Sequence, residues 1–328
     1  MPTVLVTGAN GFLAANTIAE LLERGAKVRG MLRETASPVL EHERFTLFYG
    51  NITSPEDVSE AVSGCETVVH IAAVTDQSIA RKNIYRKVNT GGTTNIVQAS
   101  LMHRVKKVIL VSTANVFGHG TRERPGNEEK PMKPPFTDSP YALSKADAQD
   151  IAIERLKGTD VSVTVVCPTF MIGPNDKKIS SNRIILRAFG RKILIIPPGG
   201  KNFIHVKDAA TGICNAISQG KNGESYILAN ENMTYREFYK TMEEVSKKRQ
   251  VLVTIPRPLL YLAGLAGSLA RLAGINTELS LTNMQILCTC NFYSGLKAIN
   301  ELGLPQTPVK TAIREAINWF DQVPTFVE

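Results

Sequence analysis

Residues 4–14 read Val-Leu-Val-Thr-Gly-Ala-Asn-Gly-Phe-Leu-Ala, an apolar run that stops at a glycine turn before a stretch with helical spacing. We interpret it as strand, glycine turn and helix, the opening of a dinucleotide-binding unit. Gly8 permits the tight turn, and Gly11 lets the backbone approach a pyrophosphate, whose charge is stabilised by the free amides of the helix N-terminus. The alternative is a plain strand-to-helix turn without a ligand.

The composition is that of a globular protein rather than a disordered one. The chain has 328 residues, of which 43% are hydrophobic and 21% charged, enough for one large α/β domain or two domains. Its formal net charge of +8 suits a phosphate-rich cofactor, and because the basic residues do not form one long run, we do not expect nucleic-acid binding. The five cysteines lack metal-ligand spacing, so we expect no metal site and a reducing, cytoplasmic environment.

The end of the second predicted strand, Lys27–Leu32, bears on the choice between NAD and NADP. An acidic residue at this position would accept a hydrogen bond from the ribose 2′-hydroxyl of NAD. The chain instead has Arg33 just beyond the strand, and a guanidinium suits a 2′-phosphate. We therefore expect NADP(H) to be preferred, with NAD(H) as the alternative.

Two further predicted strands would pass beside the cofactor. Phe45–Tyr49 is followed by Asn51, which we expect near the adenine edge. Val68–Ala73 ends in small residues, which would let the backbone pass against the cofactor. His70 lies within this strand, and we interpret it as a packed residue rather than a catalytic base.

A hydroxyl pair and a tyrosine–lysine pair are the candidate catalytic groups. The strand Lys107–Val111 is followed by Ser112 and Thr113 at its carboxyl end, where open α/β sheets bind ligands. Tyr141 and Lys145 are one turn apart on a predicted helix, so both side chains can reach one pocket. An ammonium beside a phenol lowers the phenol pKa, which would make proton transfer feasible near neutrality. A bland surface helix is the alternative for this pair taken alone.

The remaining pattern predicts a second, smaller lobe. We expect strands at Ser162–Val166, Phe203–Lys207 and Ser225–Ala229 to belong to the central sheet. Residues 1–170 and 203–229 would then form the dinucleotide-binding domain, and residues 171–202 and 230–328 a substrate lobe over the carboxyl ends of the strands. The loop 118–140 would form a wall or lid of the pocket, since loops of this length are usually functional.

The segment Pro258–Ile275 is rich in Leu, Ala and Gly but is interrupted by Arg271. Its uncharged part is shorter than the roughly 20 residues that a membrane span requires. We interpret it as a buried or pocket-lining helix, with contact at a membrane surface as the alternative. The start of the chain, Met1-Pro2, leads directly into a strand, so no secretory signal is expected.

Seven motifs stand in an order typical of one family: Thr7–Phe12, His70–Ala73, Val88–Thr93, Ser112–Gly118, Tyr141 with Lys145, Pro168-Thr169 and Phe203–Asp208. On these residues the chain resembles the extended short-chain dehydrogenase/reductases, the NAD-dependent epimerase/dehydratase family. It looks closest to the branch of dihydroflavonol 4-reductases and 3β-hydroxysteroid dehydrogenases. The resemblance implies a Rossmann-type doubly wound parallel sheet with a mostly helical C-terminal substrate lobe, and dimers are common in the family.

The resemblance also implies roles for individual residues. Tyr141 would be the acid/base, Lys145 would lower its pKa and hold the nicotinamide ribose, and Thr113 would orient the substrate oxygen. The cofactor contacts implied are Gly8, Asn10, Gly11, Phe12, Leu13, Arg33, Asn51, Ile52, Ala72, Ala73, Tyr141, Lys145, Pro168 and Thr169.

Three functions remain open at this point. The first is an NADP-dependent oxidoreductase acting on a ketone, aldehyde or alcohol of a small, fairly apolar molecule. The second is a nucleotide-sugar epimerase or dehydratase with tightly bound NAD(P), although the arginine usual before the Phe203 segment is replaced by Lys201 and Asn202. The third is a cofactor-binding scaffold without activity.

Overall fold

A seven-stranded parallel sheet forms the centre of the protein in the computed structural model, which describes residues 3–33 and 41–322. The expectations for Met1-Pro2 and for the last six residues of the second lobe lie outside these ranges. The strands of the described chain, including those outside the central sheet, are β1 (Thr3–Thr7), β2 (Lys27–Leu32), β3 (Phe45–Tyr49), β4 (Thr67–His70), β5 (Lys107–Val111), β6 (Ser162–Pro168), β7 (Phe170–Ile172), β8 (Ile193–Ile196), β9 (Gly200–His205), β10 (Ser225–Leu228), β11 (Glu231–Thr234), β12 (Val251–Thr254) and β13 (Cys290–Asn291).

Helices cover both faces of the central sheet, which has the strand order β10-β6-β5-β4-β1-β2-β3. The helices of the described chain, including those of the second lobe, are α1 (Phe12–Glu23), α2 (Pro55–Val62), α3 (Asn83–Tyr85), α4 (Gly91–Met102), α5 (Pro140–Leu156), α6 (Arg183–Leu186), α7 (Val206–Gln219), α8 (Tyr235–Ser246), α9 (Arg257–Leu272), α10 (Leu281–Cys288), α11 (Leu296–Leu302) and α12 (Val309–Gln322). A π-helical turn, Arg86–Thr90, joins α3 to α4. The strand order reverses between β1 and β4, so a crevice for a ligand opens at the carboxyl ends of these two strands.

The strands of the central sheet are apolar because both faces are covered. Leu5, Val68 and Leu110 face α2 and α4, while Val6, Val69 and Ile109 face α1 and α7, and all six are buried. Each such side chain contributes about 1.5–3 kcal/mol on burial. The predicted α/β fold with a parallel central sheet is therefore confirmed.

Strand β9 corrects one expectation from the sequence. We had expected Phe203–Lys207 to return to the central sheet, but β9 spans Gly200–His205 and belongs to a second sheet with β7, β11 and β13. Lys207 lies in α7 instead. Phe203 stacks on Phe238 of α8 with ring centroids 4.5 Å apart, so the aromatic residue that suggested a central strand serves the core of the second lobe.

One other element bound differs from the expectation of a strand at Val68–Ala73. Strand β4 ends at His70, so Ile71, Ala72 and Ala73 leave the sheet as irregular backbone. Helix α1 begins at Phe12, directly after the glycine turn. Helix α8 begins with a capping box, in which Thr234 and Glu237 satisfy each other's backbone amides.

The segment Pro258–Ile275, which we expected to form a buried or pocket-lining helix, is helical but is not buried. Helix α9 forms there, but only Leu260, Gly264 and Gly267 of its sixteen residues are buried. No helix within the described ranges has the length and apolar character to cross a membrane. Within the same ranges, no group of three or more His, Cys, Asp or Glu side chains could hold a metal ion.

Candidate active site

The glycine turn after β1 is held tightly against the end of β4. Gly8 has a φ of +71°, a conformation that favours glycine, and a Cβ at this position would lie 3.0 Å from Ala72 Cα. The amides of Gly8 and Ala9 both donate to Met31 O, at 2.9 and 3.1 Å. Glycine is therefore required at position 8 both by the backbone φ angle and by the close approach of Ala72, in the segment that follows β4.

A buried hydroxyl ties the ends of β1 and β4 together. Thr7 Oγ1 accepts hydrogen bonds from the amides of Ile71 and Ala72, each at 3.1 Å, and lies 2.8 Å from His70 Nδ1. Burial, with a smaller contribution from the Lys145 charge, lowers the pKa of His70 to about 3. His70 is therefore neutral at physiological pH and acts as a packed residue of the crevice wall, as we had interpreted it.

The N-terminus of α1 fits an anionic group such as a pyrophosphate. Its N-cap residue is Gly11, no side chain caps the helix, and its first turn has no acidic residue. The side chains of Phe12 and Leu13 are buried in the core, so these two expected contact residues can offer a ligand only their backbone amides. An uncapped N-terminus beside a glycine turn is the arrangement that binds phosphates.

Lys178 is a second cation near Arg33, the residue that we had expected to bind the 2′-phosphate. Arg33 is exposed just beyond β2, and Lys178, from the segment after β7, donates to Asn10 Oδ1 at 2.9 Å. Burial first, and then the nearby Arg33 charge, lowers the pKa of Lys178 from its ordinary value. Sequence analysis missed Lys178, because 168 residues separate it from Asn10 and no local motif marks it.

The residues expected at the adenine end are arranged by a tight turn. Asn51 Oδ1 accepts a hydrogen bond from Thr53 N at 3.1 Å, while the backbone amide of Asn51 donates to Asp57 Oδ2 at 2.7 Å. Ile52 is buried against Gly92, where an added Cβ would lie 2.5 Å from its Cδ1. Asn51 is exposed, and its bonds to Thr53 and Asp57 use its Oδ1 and its backbone amide.

Thr113, Tyr141 and Lys145 lie together at the carboxyl end of β5. Helix α5 brings two of them: Ser139 caps it by accepting the Ala142 amide at 3.4 Å, and Pro140 opens its first turn. The Thr113 hydroxyl lies in hydrogen-bonding range of the Tyr141 phenol. Lys145 is buried, and its Nζ donates to Val111 O at 2.5 Å.

Burial sets the charge states in this cluster. Burial raises the pKa of Tyr141 to about 12, although the Thr113 hydroxyl acts in the opposite direction. Burial also lowers the pKa of Lys145 to about 8. Lys145 Nζ donates to the Val111 carbonyl, and Tyr141 with its raised pKa is a neutral phenol at pH 7. The expectation that the ammonium lowers the phenol pKa stays a prediction.

Two neighbours of the cluster were not given a role from the sequence. Cys167, at the end of β6, is a buried thiol whose pKa burial raises, and its electrostatic influence reaches both Tyr141 and Lys145. Asn89 bonds to both backbone groups of Val74, at 2.7 and 3.1 Å, and donates to Ser144 Oγ at 2.9 Å. Asn89 thus fastens the segment after β4 to the helix that carries Tyr141.

The last two expected contact residues leave the sheet at the end of β6. Pro168 is buried and pairs with Leu228 of β10. The Thr169 hydroxyl donates to Asn202 Oδ1 at 2.7 Å and to Leu228 O at 3.1 Å, so it links the two sheets. Ala72 and Ala73 are half-buried beside the glycine turn.

A glycine turn, an uncapped helix end and a tyrosine–lysine pair at one crevice of a parallel sheet define a dinucleotide-dependent α/β enzyme. The chain belongs to the NAD dependent epimerase/dehydratase family, whose model matches residues 4–229. It is an NAD(P)-dependent oxidoreductase of the extended short-chain dehydrogenase/reductase type, as the resemblance implied.

Two relatives come from the expected branch. A Synechocystis protein named "Putative dihydroflavonol 4-reductase" is 28% identical over 96% of this chain and 93% of its own length. The Arabidopsis thaliana "3beta-hydroxysteroid-dehydrogenase/decarboxylase isoform 1" is 24% identical over 97% of this chain and 80% of its own length. The Thermus thermophilus UDP-glucose 4-epimerase, solved with NAD, shares the fold with a TM-score of 0.77 at 20% identity, covering 98% of this chain and 99% of that one.

Proposed function

We propose that the protein transfers hydride between NADP(H) and a ketone or aldehyde, or the corresponding alcohol, of a small and fairly apolar substrate. The observation that carries the proposal is the cluster of Thr113, Tyr141 and Lys145 at the carboxyl end of β5, on the side of the sheet where the glycine turn lies. The nicotinamide supplies the hydride when it is bound.

In the direction of reduction, the protein supplies a proton and an oriented hydroxyl. The Tyr141 phenol, with a pKa of about 12, is protonated at neutral pH and can donate its proton to the substrate oxygen as negative charge develops there. The Thr113 hydroxyl holds that oxygen by a second hydrogen bond. Lys145 lies one helical turn from Tyr141, and a movement of its Nζ from Val111 O toward the phenolate that remains would stabilise that charge.

The preference for NADP(H) is supported by two cations and by the apolar end of β2. Arg33 follows β2 directly, and Lys178 lies close enough for its pKa to respond to the Arg33 charge. The last two residues of β2 itself, Met31 and Leu32, carry no carboxylate that would favour a free 2′-hydroxyl. A 2′-phosphate would be bound between the guanidinium and the ammonium.

An apolar substrate is supported by the names of the relatives, which describe reduction or dehydrogenation of flavonoid and steroid compounds.

The competing function, that of a nucleotide-sugar epimerase, is favoured by the fold shared with the NAD-bound UDP-glucose 4-epimerase. Lys201 lies in the corresponding segment with its Nζ 5.0 Å from the centre of the Phe170 ring, and burial lowers its pKa to about 8. Lys201 offers a diphosphate a single point charge in place of the bidentate guanidinium of an arginine.

The first test combines a substrate panel with Tyr141→Phe. NADPH absorbance is followed against apolar ketones and nucleotide sugars, because a reductase consumes the coenzyme stoichiometrically and an epimerase leaves it unchanged. We expect Tyr141→Phe to lower kcat by roughly 10²–10⁴-fold while the Kd for NADPH changes by less than about threefold.

Tyr239→Phe is the matched control, since Tyr239 is a buried tyrosine of α8 that donates to Ile184 O away from the crevice. It should retain wild-type turnover. Full activity in Tyr141→Phe would remove Tyr141 from the reaction, and epimerisation of a nucleotide sugar without net coenzyme consumption would replace the proposed function by the epimerase.

A further inference from the structure

Helix α9 presents its small residues to the protein and its large ones to solvent. A Cβ on Gly267 would lie 1.6 Å from Leu279 O, and a Cβ on Gly264 would lie 2.9 Å from Leu281 Cα. The helix therefore lies flat against the backbone of the segment that leads into α10. Leu260 is the one large side chain that its inner face buries.

The outward side of α9 carries four leucines that form one stripe, which we call the leucine stripe. Leu262, Leu265, Leu269 and Leu272 follow one another at spacings of three and four residues, and their exposed fractions are 64%, 52%, 61% and 85%. A helix on the surface of a globular protein normally turns such a stripe toward the core. Here the apolar area is left outside, which marks a surface for interaction.

A second exposed apolar surface lies next to α9 in the chain. Strands β8 and β12 pair in parallel, with Ile193 opposite Val251 and Ile195 opposite Val253. These four side chains are exposed, while Leu194 and Ile196 face the core. We call these four side chains the ribbon face, and only Ile255 and Pro256 separate β12 from α9.

The segments of sequence that form these two surfaces are basic. Residues 179–200 and 245–277, which contain β8, β12 and α9, hold nine of the 38 basic residues and none of the 30 acidic ones. The rest of the chain therefore carries 29 basic and 30 acidic residues, so these segments account for the whole positive charge of the protein. Eight of the nine are exposed, and Arg271 is half-buried. Glu278, which follows α9, pairs with Arg183 and Arg187.

We propose that the leucine stripe and the ribbon face bind the surface of a bilayer that contains anionic phospholipid. The apolar side chains would enter the boundary between headgroups and acyl chains, and the cations of these segments would bind the phosphates. A second copy of this chain fits less well, since two copies would bring two surfaces of the same positive charge together. Nucleic acid would match the charge but leave the leucines without a partner.

The proposed bilayer surface is one helix away from the catalytic helix. Met284 and Cys288 of α10 pack under Leu260, and Ile286 of the same helix packs on Phe136 and Ala142, the neighbour of Tyr141. Arg271 of α9 donates to Gln77 O in the segment after β4. Binding through α9 would therefore hold the crevice close to the bilayer, a position suited to substrates that partition into lipid.

The experiment is sedimentation of the full-length protein with vesicles of phosphatidylcholine, alone or with about one third phosphatidylglycerol, over a range of salt concentrations. We expect binding to the anionic vesicles that weakens as salt is added. Leu265→Glu with Leu269→Glu should lower the partition coefficient at least about tenfold. Arg191→Gln with Lys192→Gln should lower it roughly fivefold for each charge removed.

Matched controls lie elsewhere on the surface. Leu296→Glu changes a leucine that is 61% exposed at the start of α11, and Lys106→Gln with Lys157→Gln removes two exposed cations. Both controls should bind vesicles as the wild type does. All variants should keep the wild-type circular dichroism spectrum and thermal midpoint, because every altered side chain is exposed.

Four results would overturn the proposal. The wild type could fail to sediment with anionic vesicles at low salt. The leucine variant could bind as well as Leu296→Glu, or light scattering could show a dimer that only the leucine variant dissociates, which would assign the surface to a second copy. Binding of RNA or DNA that requires the cations but not the leucines would assign it to nucleic acid.

Discussion

Two cations from distant parts of the chain, Arg33 and Lys178, share the space beyond β2. A charge-assisted hydrogen bond contributes about 1.5–3 kcal/mol, which corresponds to roughly 10–100-fold in affinity. We expect Arg33→Asp to raise the KM for NADPH roughly 100-fold and Lys178→Ala to raise it roughly tenfold. The KM for NADH should change less than about threefold in both variants, since NADH lacks the 2′-phosphate.

Lys177→Ala is the control for these variants, because Lys177 is an exposed neighbour of Lys178 with the same charge. Steady-state kinetics with each coenzyme measures all three. Equal losses with NADPH and NADH would contradict a 2′-phosphate contact, and so would an effect of Lys177→Ala as large as that of Lys178→Ala.

Burial of the Lys145 ammonium lowers the free energy of unfolding of the protein. Its pKa falls from an ordinary value of 10.5 to about 8, so the folded protein binds this proton more weakly than the unfolded chain does. This destabilisation is fully present below about pH 8 and disappears as the pH rises toward 10.5. We expect Lys145→Met to lose activity but to increase the free energy of unfolding at pH 7 by about 1–2 kcal/mol, after allowance for its lost hydrogen bond.

Urea unfolding at pH 7 and pH 9.5 measures this effect, and the gain should shrink at the higher pH. Lys157→Met, at the exposed C-terminal end of the same helix, should show no such pH-dependent difference. A gain for Lys145→Met that stayed constant or grew between the two pH values would show that the ammonium is not penalised by burial.

At the scale of secondary-structure elements, the β1–turn–α1 unit depends on Gly8 for its left-handed φ angle and for its close contact with Ala72. Gly64 shares the φ angle but lacks such a contact, so a comparison of the two glycines distinguishes the two effects. Both glycines have left-handed φ angles, +71° and +74°, but a Cβ on Gly64 meets nothing within 4 Å, whereas one on Gly8 meets Ala72. We expect Gly64→Ala to lower the free energy of unfolding by about 1 kcal/mol and to leave coenzyme binding unchanged.

Gly8→Ala should lower the free energy of unfolding by about 2–3 kcal/mol, because steric overlap is added to the backbone strain. It should also weaken NADPH binding at least about tenfold, because moving the turn shifts the amides at the start of α1. Thermal unfolding and fluorescence titration measure the two quantities. Similar effects in Gly8→Ala and Gly64→Ala would show that close contact with Ala72 is unimportant.

The elements that could be predicted from the sequence are those specified by neighbouring residues. The unit β1–turn–α1, strand β5 with Thr113 and helix α5 with its Ser139 cap each have their signal within about ten residues, and all three form as expected. Helix α9 was expected to be a buried or pocket-lining helix, but most of its residues are not buried. Spacing identifies an apolar face, but only the contact of Gly264 and Gly267 with the next segment decides which side is inward.

Contacts over long distances in sequence, and the charge states that depend on them, could not be predicted. The bond between Lys178 and Asn10 joins residues 168 positions apart, and the strand-like pattern at Phe203 did not reveal which sheet it would join. The phenol pKa of Tyr141 depends on how deeply the folded protein buries it, which the pairing with Lys145 on one helix turn does not reveal.

At the scale of the whole molecule, β9 connects the two sheets through a shared core. Its neighbouring residues Phe203 and Ile204 point to opposite sides, so Phe203 packs in the core of the second lobe and Ile204 in the core beneath the central sheet. Lys178 and Asn202 add polar bonds from the second lobe to Asn10 and Thr169. We therefore expect the protein to unfold in one cooperative transition rather than lobe by lobe.

The single tryptophan makes this testable, because Trp319 lies on α12 in the second lobe while most of the helices that dominate far-UV circular dichroism cover the central sheet. Tryptophan fluorescence and circular dichroism should give the same thermal midpoint. NADPH at about 100 times its Kd should add about 2.7 kcal/mol to the free energy of unfolding and move both midpoints upward together. If the fluorescence midpoint came first, or if NADPH raised only the circular dichroism midpoint, the second lobe would be unfolding independently, and the polar bonds to Asn10 and Thr169 would not couple it to the coenzyme site.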